Sequence, residues 1–182
     1  AKKYAGIGAL VVAHIKNTRT PLSIDFGVGD VIVPKQEKRK IPTQLSDFDA
    51  PTVTTYSLET AVAEKIDAIL SLMEFSSRMK DYYDIYYLAN KLDFDGKILT
   101  EALKRTFVNR GHSFTVEQFE QVITFGSDDA MQKKWKAFCR KIDTKTDDYG
   151  TVLKTINAFL AKPFSAAAKN SELTEKWSAA DG

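Results

Sequence analysis

Thiols and imidazoles are scarce in this sequence: one cysteine, Cys139, and two histidines, His14 and His112. A single cysteine excludes an intrachain disulfide and a thiolate-ligated metal, and two histidines are too few for a histidine-rich centre. A hard cation held by carboxylate oxygens stays compatible with the composition. Charge of one sign is also lacking, with 26 basic against 24 acidic residues and a formal net charge of +2. No overall field draws the chain to nucleic acid, so any such contact must come from a local patch. No apolar run reaches the roughly 18 residues of a membrane span, and no basic start with an apolar middle marks a signal peptide. The expectation is a cytoplasmic chain without a membrane partner. Gly27-Val28-Gly29-Asp30 is too short for a dinucleotide or P-loop glycine motif, and no nucleophile elbow supports serine hydrolysis.

What is present suffices for a packed core: 182 residues, 43% hydrophobic and 27% charged. Residues 4–34 read as strands, with IGALVVAHI and PLSIDFGVGDVIVP joined through the turn residues KNTRT as a hairpin. Residues 35–55 are polar, contain Pro42 and Pro51, and read as a long connection with one short strand. From Leu58 the pattern is helical, with Ser57 as N-cap of the first helix. Asp95 and Gly111 supply the start and stop of a third helix, and VEQFEQVI, DAMQKKWKAFCRKI and YGTVLKTINAFLAK give three more. The tail SELTEKWSAADG frays or adds a last turn. The predicted class is α+β, a small antiparallel β portion over 1–55 followed by a five- or six-helix bundle over 56–165 and a tail over 166–182.

Three places carry candidate chemistry. In LSIDFGVGD, strand alternation sets Leu22, Ile24 and Phe26 on one face and Ser23 and Asp25 on the other. Asp25 is a metal-ligating or base carboxylate at a sheet rim, or part of a solvated strand face beside a glycine turn. In the first helix Val62, Ile66, Ile69 and Met73 form the buried stripe, and Lys65 falls about 60° from its centre. Its ammonium either reaches a cleft, where it holds a phosphate as a point charge, or snorkels to water along its own methylenes. In SRMKDYYDIYYLANKL the stripe through Ile85, Leu88, Ala89 and Leu92 runs back through Arg78 and Asp81. Such a pair must neutralise itself, meet polar groups elsewhere, or line a wet cleft. The four tyrosines of YYDIYY spread around the whole helix, which favours packing over base stacking.

The order LSIDFGVGD, SLETAVAEKIDAIL, SRMKDYYDIYYLA, continued through FVNRG, MQKKWKAFCRKI and NAFLAK, resembles the AbiEii/AbiGii toxin family of nucleotidyltransferases over most of residues 4–162. The resemblance implies a polymerase-β-like sheet with an appended helical domain. It also implies transfer of a nucleoside monophosphate from an NTP, with Mg²⁺, to an acceptor of which tRNA is one candidate. A cognate antitoxin and a role in toxin–antitoxin or phage defence follow from it. Carried over by position, Asp25 is a carboxylate near the metal, Asp81 and Asp84 complete the catalytic cleft, and Lys65 and Arg78 bind nucleotide. The family pattern opens with a Gly-Ser turn and an Asp-x-Asp strand. Here the Asp-x-Asp triplets are Asp47/Asp49 and Asp93/Asp95, and neither follows Gly-Ser. The expectation is therefore a C-terminal portion of such an enzyme, inactive alone. The alternative is a non-catalytic helical module that binds RNA or a partner protein.

Overall fold

The computed structural model describes residues 6–180 and divides into two compact units, one ending at Val31 and the other beginning at Ile32. The first unit is a β-hairpin of β1 (Gly6–Ile15) and β2 (Thr18–Gly27), paired antiparallel from Gly6↔Gly27 to Ile15↔Thr18. Its two-residue turn places Lys16 at φ 51°, a left-handed conformation that costs an L-residue about 1 kcal/mol. The register puts Ile7, Ala9 and Val11 opposite Phe26, Ile24 and Leu22, so one face of the ribbon is apolar. Asp25 stands across from Gly8 on the other face.

The second unit opens with two short strands where the sequence suggested one, β3 (Glu37–Lys40) and β4 (Thr52–Thr55), paired antiparallel. Six helices follow: α1 (Leu58–Leu72), α2 (Met79–Lys91), α3 (Gly96–Arg110), α4 (Val116–Thr124), α5 (Asp129–Lys141) and α6 (Tyr149–Ala168). The α+β class with a β portion ahead of a helical bundle is what these elements make.

Five of the six α-helices begin where the sequence offers a side-chain oxygen to the free N–H groups of the first turn, α2 being the exception. Ser57 caps α1 through the Thr60 N–H, Asp95 caps α3 through Lys97 and Ile98, and Thr115 with Gln118 forms a capping box on α4. Each such cap is worth about 1 kcal/mol. Gly111 closes α3 at φ 66°, a left-handed position suited to glycine. Thr60 is buried and holds the segment that leads into β3, accepting the Val33 N–H at 2.8 Å and donating to the Val33 carbonyl at 3.1 Å.

The core is built from α1, α2, α3 and α6, with Val62, Ile66, Tyr82, Ile85, Leu103 and Leu160 withdrawn from solvent. The tail neither frays nor adds a helical turn. Its Lys176–Trp177 strand, β6, pairs with β5 (Phe94–Asp95), and the Trp177 indole donates to the Ala89 carbonyl at 2.8 Å. Trp177 and Phe159 rings lie 5.2 Å apart, so aromatic burial supplies the attachment. Among the described residues no helix is long and apolar enough to cross a membrane.

Candidate functional site

The short link between α1 and α2 turns the chain back so that the middle of α1 faces the first two turns of α2. Met73, at φ 48°, ends α1 and starts a 3₁₀ turn through Phe75. Ser76 then accepts the Arg78 N–H at 3.1 Å, and α2 begins. This reversal gathers four of the five singled-out residues. Lys65 Nζ donates to Asp81 Oδ1 at 3.2 Å and to Asp84 Oδ2 at 2.6 Å. Arg78 Nε donates to Asp81 Oδ2, and Lys80 Nζ donates to Asp84 at 2.5 Å.

Burial explains why charged residues share the core-facing stripe. The Asp81 side chain is only 5% exposed, whereas that of Arg78 is 56% exposed. The aspartate is thus the buried member, and the arginine lies over it toward water. Its carboxylate sits in the first turn of α2, where exposed N–H groups favour negative charge. The hydrogen bond to Asp81 pushes the Arg78 guanidinium still further up from its usual range. Lys65, 22% exposed, does not simply snorkel: its ammonium is shared between two carboxylates. Three cations against two carboxylates leave the cluster one positive charge in surplus. The Arg78 guanidinium spends its Nε on Asp81, with the side chain 56% exposed, and Lys80 is 71% exposed.

Asp25, the fifth residue, belongs to the hairpin unit and is exposed on β2, its carboxylate over Gly8. Among the described residues no group of three or more His, Cys, Asp or Glu side chains is placed to hold a metal ion. Asp81 and Asp84 already direct oxygens at ammonium and guanidinium groups, so this donor set does not fit a divalent cation by itself. The Asp-x-Asp residues do structural work in part, since Asp93 accepts the Ala179 N–H and Asp95 caps α3.

A second polar cluster was not singled out from the sequence. Asp67 is 1% exposed and receives Arg110 Nη1 at 2.9 Å, while His112 Nδ1 lies 2.7 Å from its other oxygen. Arg110 also pairs with Glu64. The signal was present: Thr60, Ala63, Asp67 and Leu70 form a second stripe at i, i+3, i+7 and i+10, which marks α1 as buried on two sides. Ser71 Oγ approaches His112 at 3.5 Å, on the same ring nitrogen that meets Asp67. A proton relay needs opposite nitrogens, so the trio is no hydrolytic triad. It ties the end of α3 to α1.

One family model, described as nucleotidyl transferase AbiEii toxin of a type IV TA (toxin–antitoxin) system, matches residues 3–170. No curated protein and no solved structure matches the chain.

Proposed function

The chain belongs to the AbiEii family of nucleotidyl transferase toxins, and from that premise we propose that the Lys65–Arg78–Asp81–Asp84 cluster is its nucleotide-binding site. Family membership implies a nucleotide substrate and an antitoxin partner. The observation that carries the assignment is the shared Lys65 ammonium, fixed by Asp81 and Asp84 in a cluster with a surplus positive charge. Triphosphate oxygens compete with Asp84 for Lys65 Nζ, and the remaining nitrogens of Arg78 take a second oxygen with the geometry a planar guanidinium allows. Asp81 holds both cations in place from below. Asp84, less buried than Asp81 and shared with Lys80, is the carboxylate freed toward the reacting groups.

In this reading Mg²⁺ arrives as the companion of the NTP, since the described carboxylates do not form a group able to hold it. No step is assigned to the ion. Asp25 is kept as a catalytic and metal-side carboxylate on the strength of the resemblance. The acceptor is a polynucleotide, with tRNA the first candidate, and the biological setting is toxin–antitoxin or phage defence in the cytoplasm. Because its two Asp-x-Asp triplets serve caps and loops, the 182-residue chain binds nucleotide without turning it over. The second reading, a recognition module without chemistry, draws on the same saturation of Asp81 and Asp84 by cations.

Equilibrium binding of a fluorescent ATP analogue and competition by the other three NTPs tests the site. Lys65→Met is expected to weaken binding at least tenfold with the fold retained, whereas Lys154→Met, an exposed lysine on α6, leaves it unchanged. Equal affinities for wild type and Lys65→Met would remove Lys65 from the site and favour the recognition module.

A further inference from the structure

The four tyrosines of α2 fall into different environments. Tyr82 is buried against Tyr149, and burial raises its pKa to about 12. Tyr86 donates its hydroxyl to Asp147 at 2.6 Å, which together with burial also raises it to about 12. Tyr83 and Tyr87 are not used in this way. They lie one turn apart with ring centroids 6.3 Å from each other, and Tyr87 is 50% exposed. Tyr87 stands on the outward side of α2 that also carries Lys80, Asp84 and Lys91, at spacings of three and four residues, while Tyr83 leans from it against α5. Tyr87 follows Asp84 by three residues, about 4.5 Å along the helix axis.

The ledge continues onto α5. Tyr83 meets Phe138 at 5.9 Å and Trp135 at 6.5 Å. Lys141 stands one turn beyond Phe138 on the same side of α5. Lys133, Lys136 and Arg140, also exposed, fall on the opposite face of that helix, away from Phe138. Among the described residues no ion pair engages Lys141 or Lys91. The carboxylates on these faces are Asp84, already held by two lysines, and Asp129 at the opposite end of α5. A cleft on the other flank of α5, of about 620 Å³, is lined by Asp147 and Asp148 as well as Lys136 and Arg140, so its charges balance and it presents no surplus of cations. Aromatic rings presented beside unpaired cations suit unstacked bases with their phosphates alongside.

We propose that the Tyr83–Tyr87 ledge, bordered by Lys80, Lys91 and Lys141, docks the unpaired bases of a single-stranded nucleic acid and leads that strand to the Asp84 end of α2. The inference rests on the reading of the Lys65 cluster as the nucleotide site, because it makes the ledge the path of the acceptor. A base stacks on Tyr87, and Lys91 and Lys141 take the phosphates.

Fluorescence anisotropy with the 182-residue chain tests this, using a labelled single-stranded RNA of mixed sequence, the DNA strand of the same sequence, and the RNA annealed to its complement. Both single strands are expected to bind more tightly than the duplex. Tyr87→Ala should weaken single-strand binding about tenfold or more, while Tyr87→Phe, which keeps the ring, stays near wild type. Lys141→Gln should weaken binding and lower the slope of log affinity against log salt by about 0.7. Lys154→Gln, an equal loss of charge on α6, should leave both unchanged. Duplex binding as tight as single-strand binding, or Tyr87→Ala within twofold of wild type, overturns the ledge. If Tyr87→Ala abolishes strand binding while Lys65→Met leaves NTP binding intact, the ledge stands and the nucleotide site falls. The reverse pattern sinks the ledge alone.

Discussion

Lys65→Met is the substitution that most directly weighs the α1–α2 cluster, because methionine keeps the aliphatic stem and deletes the charge. At 3.2 Å from Asp81 and 2.6 Å from Asp84, the gross attractions at an effective dielectric near 20 are about 5 and about 6 kcal/mol. Desolvation of the ammonium and of the 5%-exposed Asp81 offsets most of this. Removing the shared cation leaves Asp81 with Arg78 alone, whose exposed charge is partly screened, and leaves two carboxylates three residues apart unbridged. The net cost is about 2 kcal/mol, below the roughly 3–5 kcal/mol of a fully buried pair because Lys65 retains some exposure. Asp81→Ala is expected to cost less, about 1 kcal/mol, since Lys65 keeps Asp84 and Arg78 turns to water. Lys80→Met, at a pair whose lysine is 71% exposed, should cost about 0.4 kcal/mol. Urea titrations followed by far-UV ellipticity, compared at constant slope, measure all three. An order with Asp81→Ala or Lys80→Met at least as damaging as Lys65→Met would refute the view that Lys65 is the linchpin of the cluster.

Two further outcomes follow from other parts of the fold. A methyl group at Gly96 would come 2.2 Å from the Glu175 carbonyl, which also accepts the Gly96 N–H. Gly96→Ala should therefore lift the tail from β5 at a cost of about 1–3 kcal/mol, seen as faster hydrogen exchange over residues 171–180, and unchanged exchange there would contradict the docking. The Asp148 carboxylate, which caps α6, is held below its usual range by hydrogen bonds from the Thr151 hydroxyl and N–H. A depressed folded pKa adds stability above the unfolded value and loses it as pH falls through the folded one. The stability advantage of wild type over Asp148→Ala should thus be full at neutral pH and shrink below about pH 4, and a pH-independent difference would rule out the carboxylate as its source.

Local chemistry was readable along the chain wherever the causes are local. Ser57, Asp95 and Gly111 announced helix ends because caps satisfy backbone groups within one turn. The opposite faces of Leu22 and Asp25 followed from alternation, and the motif order that carries family membership is a linear property. Periodicity also set Arg78 and Asp81 on the inward stripe of α2. Which of the two is buried was beyond it: that depends on α1 folding back to bring Lys65 from 16 residues away onto Asp81. The Asp67 site with Arg110 and His112 likewise joins residues 43 and 45 positions apart. The tail was misjudged for the same reason, since SELTEKW takes its form from Phe94, Ala89 and Phe159 rather than from its own preferences. The sequence alone determines where backbone groups are capped and which faces are apolar, because those preferences act within a few residues. Only the tertiary structure decides which charge is desolvated and which partner neutralises it, because burial and pairing depend on residues that the fold brings in from elsewhere in the chain.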